Sequence, residues 1–420
     1  MLARQSAEIA LLCLLCFGVA TAGDSGQARP PAGFDWPNWR GPTHDGISIE
    51  TGWLTTWPKD GLVPLWKAEV GPGHAGVAVR DGKAYIMGRE ARQDIVFCFS
   101  ADSGAIIWKY AYAAGESAYG RGPRATPAVD GKAVYSVSAD GQAICLDVVS
   151  GQPVWTKNLC RGLNLPMPRH DFSTSPVLEG DLLLLNMGMA GLALDRKTGK
   201  AVWKSSGDSS YSSPVPFNLG DKRCVALAAA TQFAVVDMAN GQKIASCDRQ
   251  IRDNANCADP VIVGESILLT SGYDVGTSLV EIRAGSTTVV WKGKYGCVYA
   301  SPVMAAGFLY ALVGAGWERA DLVCVNIKDG SEKWRQKNVG SGGLIIADGK
   351  LLILARTGDL ILADASPASY TELARTKVFT TGTCWNGPVL CNGRIYVRND
   401  KGTLVCLDVR GARNTRGPEP

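Results

Sequence analysis

The sequence predicts an all-β protein, one eight-bladed β-propeller of four-stranded antiparallel blades closed by an N-terminal strand. Three observations predict it. A short pattern returns along the chain, with Asp, Asn or Ser followed by Gly four residues on and Trp four residues after that: Ser100, Gly104, Trp108; Asp147, Gly151, Trp155; Asp195, Gly199, Trp203; Asn326, Gly330, Trp334. A weaker copy runs Asp237, Gly241, Ala245, and Asp408 begins a truncated one. Each copy follows an extended stretch such as TPAVDGKAVYSV (126–137) or SPVLEGDLLLLN (175–186). The turn glycines of these stretches, Gly82, Gly131, Gly180, Gly220, Gly264, Gly307, Gly349 and Gly393, mark eight units. Their period of roughly 40–50 residues suits one four-stranded blade each. Finally, the 49 glycines and the short Val, Ile, Leu and Tyr runs between Asp-Gly and Asn-Gly turns are the composition of many short strands.

In chain order, MLARQSAEIALLCLLCFGVATAG has a basic start at Arg4, an apolar run from Ile9 to Val19 and small residues at Ala20 and Ala22. That is the layout of a secretory signal, 1–22, cleaved after Ala22. Neither Cys13 nor Cys16 sits in a lipoprotein cleavage context, because bulky leucines precede each. An N-terminal extension, 23–60, leads to the propeller, 61–409, and a tail, 410–420. Within the propeller, VPLWKAEVG (63–71) supplies a Trp66 strand before the first unit, while the last unit stops at LVCLDVRG without its own Trp strand. The N-terminal strand is therefore expected to complete the final blade. No later segment has the roughly 18 unbroken apolar residues of a membrane-spanning helix. The expected product is a soluble exported protein, periplasmic or extracellular.

The repeated residues have structural work to do. A four-stranded sheet cannot bury both faces alone, so blades stack radially and close into a ring that protects their edges. Trp66, Trp108, Trp155, Trp203 and Trp334 are expected to fill the gaps between blades, each indole N–H finding a backbone acceptor. Asp147 and Asp195 cap the turns, and Gly151, Gly199 and Gly330 supply positive φ. Cys98, Cys145, Cys324 and Cys406 stand two residues before the Asp position, where other units carry Ala193, Val235 and Leu362, so they read as small buried apolar side chains. The other mature cysteines, Cys160, Cys224, Cys247, Cys257, Cys297, Cys384 and Cys391, lie outside that register, and an oxidising compartment allows a bridge among them.

Charge narrows the partners. The net charge is +4 with acidic and basic residues interleaved, so nothing calls for nucleic acid or an anionic membrane surface. The three histidines, His44, His74 and His170, are well separated and form no metal-binding pair, so no metal site is expected. GRGPRATP (120–127) is glycine-rich and basic but precedes a strand, without the helix N-terminus that a phosphate loop uses.

With Asp/Asn-x3-Gly-x3-Trp repeated around eight units behind an export signal, residues from about 61 to 409 resemble the pyrroloquinoline-quinone-like β-propeller repeat superfamily, in which this element is the tryptophan-docking motif. DWPNWRGPTHDGIS (35–48) and ELARTKVF (372–379) are similar to an exported, BamB-like branch. The resemblance implies one of two functions. Quinoprotein alcohol dehydrogenases carry an adjacent Cys-Cys pair beside the quinone and a calcium held by carboxylate and amide side chains; BamB-like outer-membrane assembly scaffolds bind protein without a cofactor. This sequence has no two consecutive cysteines and no Cys-x-x-Cys-His haem attachment, and it lacks the scaffold's lipid anchor. The expectation is an exported scaffold that binds a protein or peptide, with no cofactor. The alternative is a dehydrogenase of alcohols or polyols dependent on pyrroloquinoline quinone and calcium.

The repeat register points to a binding surface. Three residues before the strand-opening prolines lie Arg124, Ser173, Tyr211, Cys257, Tyr299 and Trp385, with Ala75 and Ser341 near the matching positions of units one and seven. Equivalent positions form a ring around one mouth of a propeller. Unlike the docking residues, these vary from blade to blade, as a recognition surface requires. Asp171, Asn254, Asn256, Asp259 and Asn386 flank the ring, giving an aromatic and polar funnel for a ligand or peptide. Its candidate binding residues are Arg124, Asp171, Tyr211, Asn256, Tyr299, Trp385 and Asn386. The Pro-rich stretch LCRGLNLPMPRHDF (159–172), with two arginines, is a candidate to cover that mouth or dock a partner, against the commoner outcome of a plain surface loop.

Overall fold

The computed structural model describes residues 33–115, 122–283, 285–314 and 319–411, which belong to one compact unit, Pro31–Pro420. The expected export signal, 1–22, and nearly all of the expected tail lie outside the described residues. Eight sheets each form an antiparallel meander. Blades one to seven take residues 78–113, 128–158, 177–204, 215–248, 261–293, 303–336 and 342–377. The eighth blade is split. Val389–Cys391, Arg394–Arg398 and Thr403–Asp408 come from the C-terminal end, and Pro64–Glu69 adds its outermost strand, with Trp66 opposite Cys406. This is the closure expected from the sequence. Each predicted turn glycine lies in the hairpin between the first two strands of a blade.

Each tryptophan docks on the next blade. Trp66 Nε1 donates to the Ala101 carbonyl at 3.0 Å, Trp108 to Val148 at 3.2 Å, Trp155 to Arg196 at 2.9 Å, Trp203 to Met238 at 2.8 Å and Trp334 to Ser366 at 2.8 Å. Except at Trp334, whose receiving turn has no glycine, the indole lies against the receiving blade's glycine: a Cβ on Gly151 would stand 2.6 Å from the Trp108 ring, and one on Gly199 2.8 Å from Trp155. Glycine is thus required twice over at position 151, for φ +69 and for the close approach. The turn beside it is capped by Asp147 Oδ1, which accepts from the Val149 and Ser150 amides at 3.1 and 2.7 Å. Sequence spacing misses one docking residue, Trp291, which donates to Ile327 at 2.8 Å and lies on Gly330. Its hairpin is two residues longer than the others, placing it opposite Leu279 in register but off the four-residue spacing. Where Ala245 stands in place of Trp in blade four, the glycine of blade five, Gly285, faces open space.

The repeated cysteines have a packing reason. Tyr85, Cys98 and Trp108 lie side by side across three strands, as do Tyr135, Cys145 and Trp155; Tyr310, Cys324 and Trp334; and Tyr396, Cys406 and Trp66. Tyr and Trp ring centroids stand 5.9–6.3 Å apart in these rows. A small side chain between them lets the two rings meet. Burial pushes the thiols up, Cys98 to about 11 and Cys145 to about 12. Every cysteine among the described residues is free, so the bridge left open by the sequence is not formed among them.

Around the axis a second set of contacts links the inner strands. In blades two to six the residue before the strand-opening proline accepts a bond from its counterpart one blade back: Gly76 N to Thr126 Oγ1 at 2.9 Å, Thr126 N to Ser175 Oγ at 3.0 Å, Ser175 N to Ser213 Oγ at 3.0 Å, Ser213 N to Asp259 Oδ1 at 2.7 Å, and Asp259 N to Ser301 Oγ at 2.8 Å. The expected extension, 23–60, is not separate from this ring. Its described part crosses the face where the inner strands end. Trp36 exchanges backbone bonds with Val79, the Pro37 carbonyl accepts from Val129, Ile47–Ser48 pairs parallel with Ile346–Ala347, and Glu50 accepts from the Gly393 amide. At its centre Arg40 reaches the Pro302 carbonyl at 2.7 Å and lies 3.8 Å from Asp259, both side chains buried, while Trp39 Nε1 donates to Asp259 at 2.6 Å. Residues 34–50 therefore plug one end of the channel.

Three variants test this account by chemical denaturation. Trp155→Ala should lose roughly 3–5 kcal/mol, the cost of truncating a large core side chain, and Gly151→Ala at least about 1 kcal/mol from its left-handed backbone alone; an unchanged midpoint in either contradicts the docking assignment. Arg40→Ala should cost about 3–5 kcal/mol, because it leaves the Asp259 carboxylate buried without its counter-charge.

Candidate binding site at the open mouth

The inner strands begin at the end of the channel opposite the plug, and the residues that lead into them converge there. Arg124, Ser173, Tyr211, Cys257, Tyr299 and Trp385, six members of the ring expected from the repeat register, line one cavity of about 550 Å³. Proline at the strand start fixes the backbone just beyond each, so position rather than residue type sets where the side chain goes. Trp39 forms part of the cavity wall from the plug side. It also borders a gap of about 40 Å³ against the inner strands, beyond which residues 34–50 cross the channel and make the cavity a blind pocket.

One side of the pocket is aromatic. Trp385 meets Tyr299 edge-on at 5.0 Å and His74 at 5.2 Å, and the Arg356 guanidinium sits 4.8 Å from its ring centroid. The Trp385 N–H is directed to Thr383 Oγ1 at 2.9 Å. The Tyr299 hydroxyl lies 3.4 Å from that of Tyr273, over whose ring Arg252 stands at 5.9 Å. Across the pocket, Tyr211 accepts from the His170 amide at 3.2 Å, its ring 5.8 Å from the imidazole, and its carbonyl accepts from Ser173 Oγ at 2.8 Å. Burial pushes the Tyr211 hydroxyl up to about 12.

The polar candidates divide. Arg124 lines the pocket, paired with Asp171 at 3.0 Å and donating to the His170 carbonyl; Asp171 itself is held behind Arg124. Asn386 lines the pocket too and donates to the His74 carbonyl. Asn256 is 1% exposed and turned into the protein, giving its amide N–H to Ala229 and Ala230 carbonyls and accepting from Ser271 Oγ at 2.8 Å. Asp259 touches the pocket, but its two oxygens are held by Ser213 N and Trp39, and burial raises it above the usual carboxylate range against the pull of Arg40. Cys257 is pushed up to about 12, first by burial and then by the Asp259 charge, so its sulfur stays protonated and is no nucleophile at neutral pH.

Sequence reasoning missed the pocket residues Trp39, His74, Arg169, Arg252, Asp253 and Tyr273. Arg169 and His170 sit on the stretch 159–172, which opens with the short helix Leu159–Leu163 capped by Asn158 and does reach the mouth. Arg252 and Asp253 sit on the linker between blades four and five, so the longer inter-blade linkers were the available signal. Among the described residues no group of three His, Cys, Asp or Glu is placed to hold a metal ion, and no helix is long and apolar enough to cross a membrane.

The fold has known counterparts. BamB from Moraxella catarrhalis superposes with a TM-score of 0.63 at 15% identity, over 83% of this chain and 99% of that one. A quinohemoprotein alcohol dehydrogenase from Comamonas testosteroni gives 0.65 at 15% identity, over 92% and 82%. A europium-containing methanol dehydrogenase gives 0.67 at 12%, over 87% and 89%. At such identities BamB and the two dehydrogenases share the fold with this chain and nothing finer. No curated protein matches the sequence. The family profile described as outer membrane protein assembly factor BamB matches residues 58–212 and 94–336. These overlapping stretches take in well over half of the chain, which therefore belongs to that family, within the pyrroloquinoline-quinone-like β-propeller repeat superfamily.

Proposed function

We propose that this chain is an exported binding propeller of the cell envelope that takes up a protein or peptide segment in its open mouth and works without a quinone. The observation that carries this reading is the blind pocket itself. Its variable ring residues present aromatic faces, hydroxyls and guanidinium groups, the side chains that anchor protein contacts. Its acidic and amide groups are committed to the protein: Asp259 to the plug and the inner belt, Asn386 to a backbone carbonyl, Asp171 to Arg124. A calcium-bound quinone needs a cluster of oxygen donors facing the ligand. Among the described residues no group of three His, Cys, Asp or Glu is placed to hold a metal ion, and the adjacent cysteines of the dehydrogenases are absent from the sequence; both favour the reading without a quinone.

Trp385 and Arg124 are still the residues a quinone would use, one by stacking and one by pairing with carboxylates. Titration with pyrroloquinoline quinone and calcium, followed by tryptophan quenching, should show no saturation at micromolar cofactor, and no dye should be reduced on adding an alcohol. Tight stoichiometric binding that Trp385→Ala and Arg124→Ala both weaken, with turnover, would replace this reading by the dehydrogenase one. In a pull-down from an envelope extract, the wild-type chain should retain protein that Trp385→Ala and Tyr299→Ala release; retention equal in all three would move binding away from the mouth.

A further inference from the structure

The mouth carries its charge unevenly. Arg169 and Arg252 stand at the rim with side chains 69% and 76% exposed. Both face a single carboxylate, Asp253: Arg169 pairs with it through Nη1, and Arg252 Nε lies 3.8 Å away. His170 Nε2 is 3.9 Å from the same group. Among the described residues lining the cavity, one acidic side chain therefore answers two permanent cations at the rim. Deeper in, cations and anions are matched one to one, Arg124 with Asp171 at 3.0 Å and Arg40 with Asp259 at 3.8 Å, and the remaining surface is largely aromatic and small. The site thus has surplus positive charge at its entrance and ring-lined space below it.

We propose that the mouth recognises an acidic loop of a protein partner that bears an aromatic side chain at its tip. The inference rests on the reading of the mouth as a peptide-binding site and names the peptide it selects. The aromatic tip fills the pocket beside Tyr211, Tyr299 and Trp385, and the flanking carboxylates meet Arg169 and Arg252, whose planar guanidiniums suit paired hydrogen bonds to carboxylate. A loop fits better than a passing strand because residues 34–50 seal the far end of the channel: what enters must also leave by the same mouth. Exposed guanidiniums are screened by salt, so they select and steer more than they tighten. A basic loop brings like charges to the rim and is rejected.

Calorimetry on the full chain with four backbone-cyclised peptides displaying Glu-Phe-Glu, Gln-Phe-Gln, Lys-Phe-Lys or Glu-Ala-Glu tests this. At low ionic strength Glu-Phe-Glu should bind about tenfold tighter than Lys-Phe-Lys or Glu-Ala-Glu; the advantage over Lys-Phe-Lys shrinks as the Debye length falls to about 3 Å in molar salt, whereas that over Glu-Ala-Glu, which comes from the ring, persists. The double variant Arg169→Gln, Arg252→Gln, changed only at exposed side chains, should lose the acidic preference and keep its affinity for Gln-Phe-Gln. Equal binding of the three Phe peptides, or a preference that survives the double variant, overturns the charge selection while leaving the mouth a peptide site. Glu-Ala-Glu binding as tightly as Glu-Phe-Glu overturns the aromatic tip. Binding by none of the four overturns both this inference and the peptide-binding reading beneath it.

Discussion

An indole laid on the next blade's glycine is the contact on which the rest of this ring depends. A four-stranded blade leaves its outer half without a hydrophobic partner, and the neighbour supplies one. The ring of Trp108 needs the missing side chain of Gly151, the N–H of Trp108 needs the turn carbonyl of Val148, and that turn exists because Asp147 holds its amides. Remove any one and the other two lose their partner. The Tyr-Cys-Trp rows follow from the same contact, since the cysteine is small enough for both rings to close over it. Blade four shows the rule by exception: with Ala245 in the tryptophan position, the next blade has a longer hairpin and an unoccupied glycine.

Because the blades are held at their outer edges and by the hydroxyl belt near the axis, the residues three places before the strand-opening prolines stand outside both repeated sets of contacts. They are free to differ. Arg124, Ser173, Tyr211, Cys257, Tyr299 and Trp385 occupy equivalent backbone positions yet, apart from the two tyrosines, differ in residue type, and together they shape a single pocket. Asp259 joins the scaffold to the site. In the belt it does what serine does in neighbouring blades, and its second oxygen holds the plug through Trp39. A carboxylate is needed there because one hydroxyl cannot serve both directions.

The fold was legible in the sequence because propellers repeat their structural contacts, and repetition is visible without coordinates. The eight turn glycines and the split last blade could be read directly. The docking role of Trp291 could not, because two extra residues in its hairpin shift it off the spacing while leaving its register intact. The ring half of the pocket was legible for the same reason as the blades, being an offset from the strand-opening proline. The other half was not. Trp39 arrives from a segment paired to blades distant in sequence, and Arg169, Arg252 and Asp253 ride on linkers that have no counterpart in the repeat. Asn256 shows the converse limit: beside the ring in sequence, it faces the backbone of blade four.

The split blade also sets a schedule. Pro64–Glu69 emerges first from the ribosome but finds its partner strand only when Thr403–Asp408 has been made, so the ring stays open through nearly the whole of synthesis. Pairings of such long sequence separation form late and slowly. Until then Trp66 has neither its strand partner nor a closed circle to lock. Under the proposed export, in which the chain crosses a membrane as a flexible thread, such a delay is useful: the knot is tied last, by the two ends, on whichever side they meet.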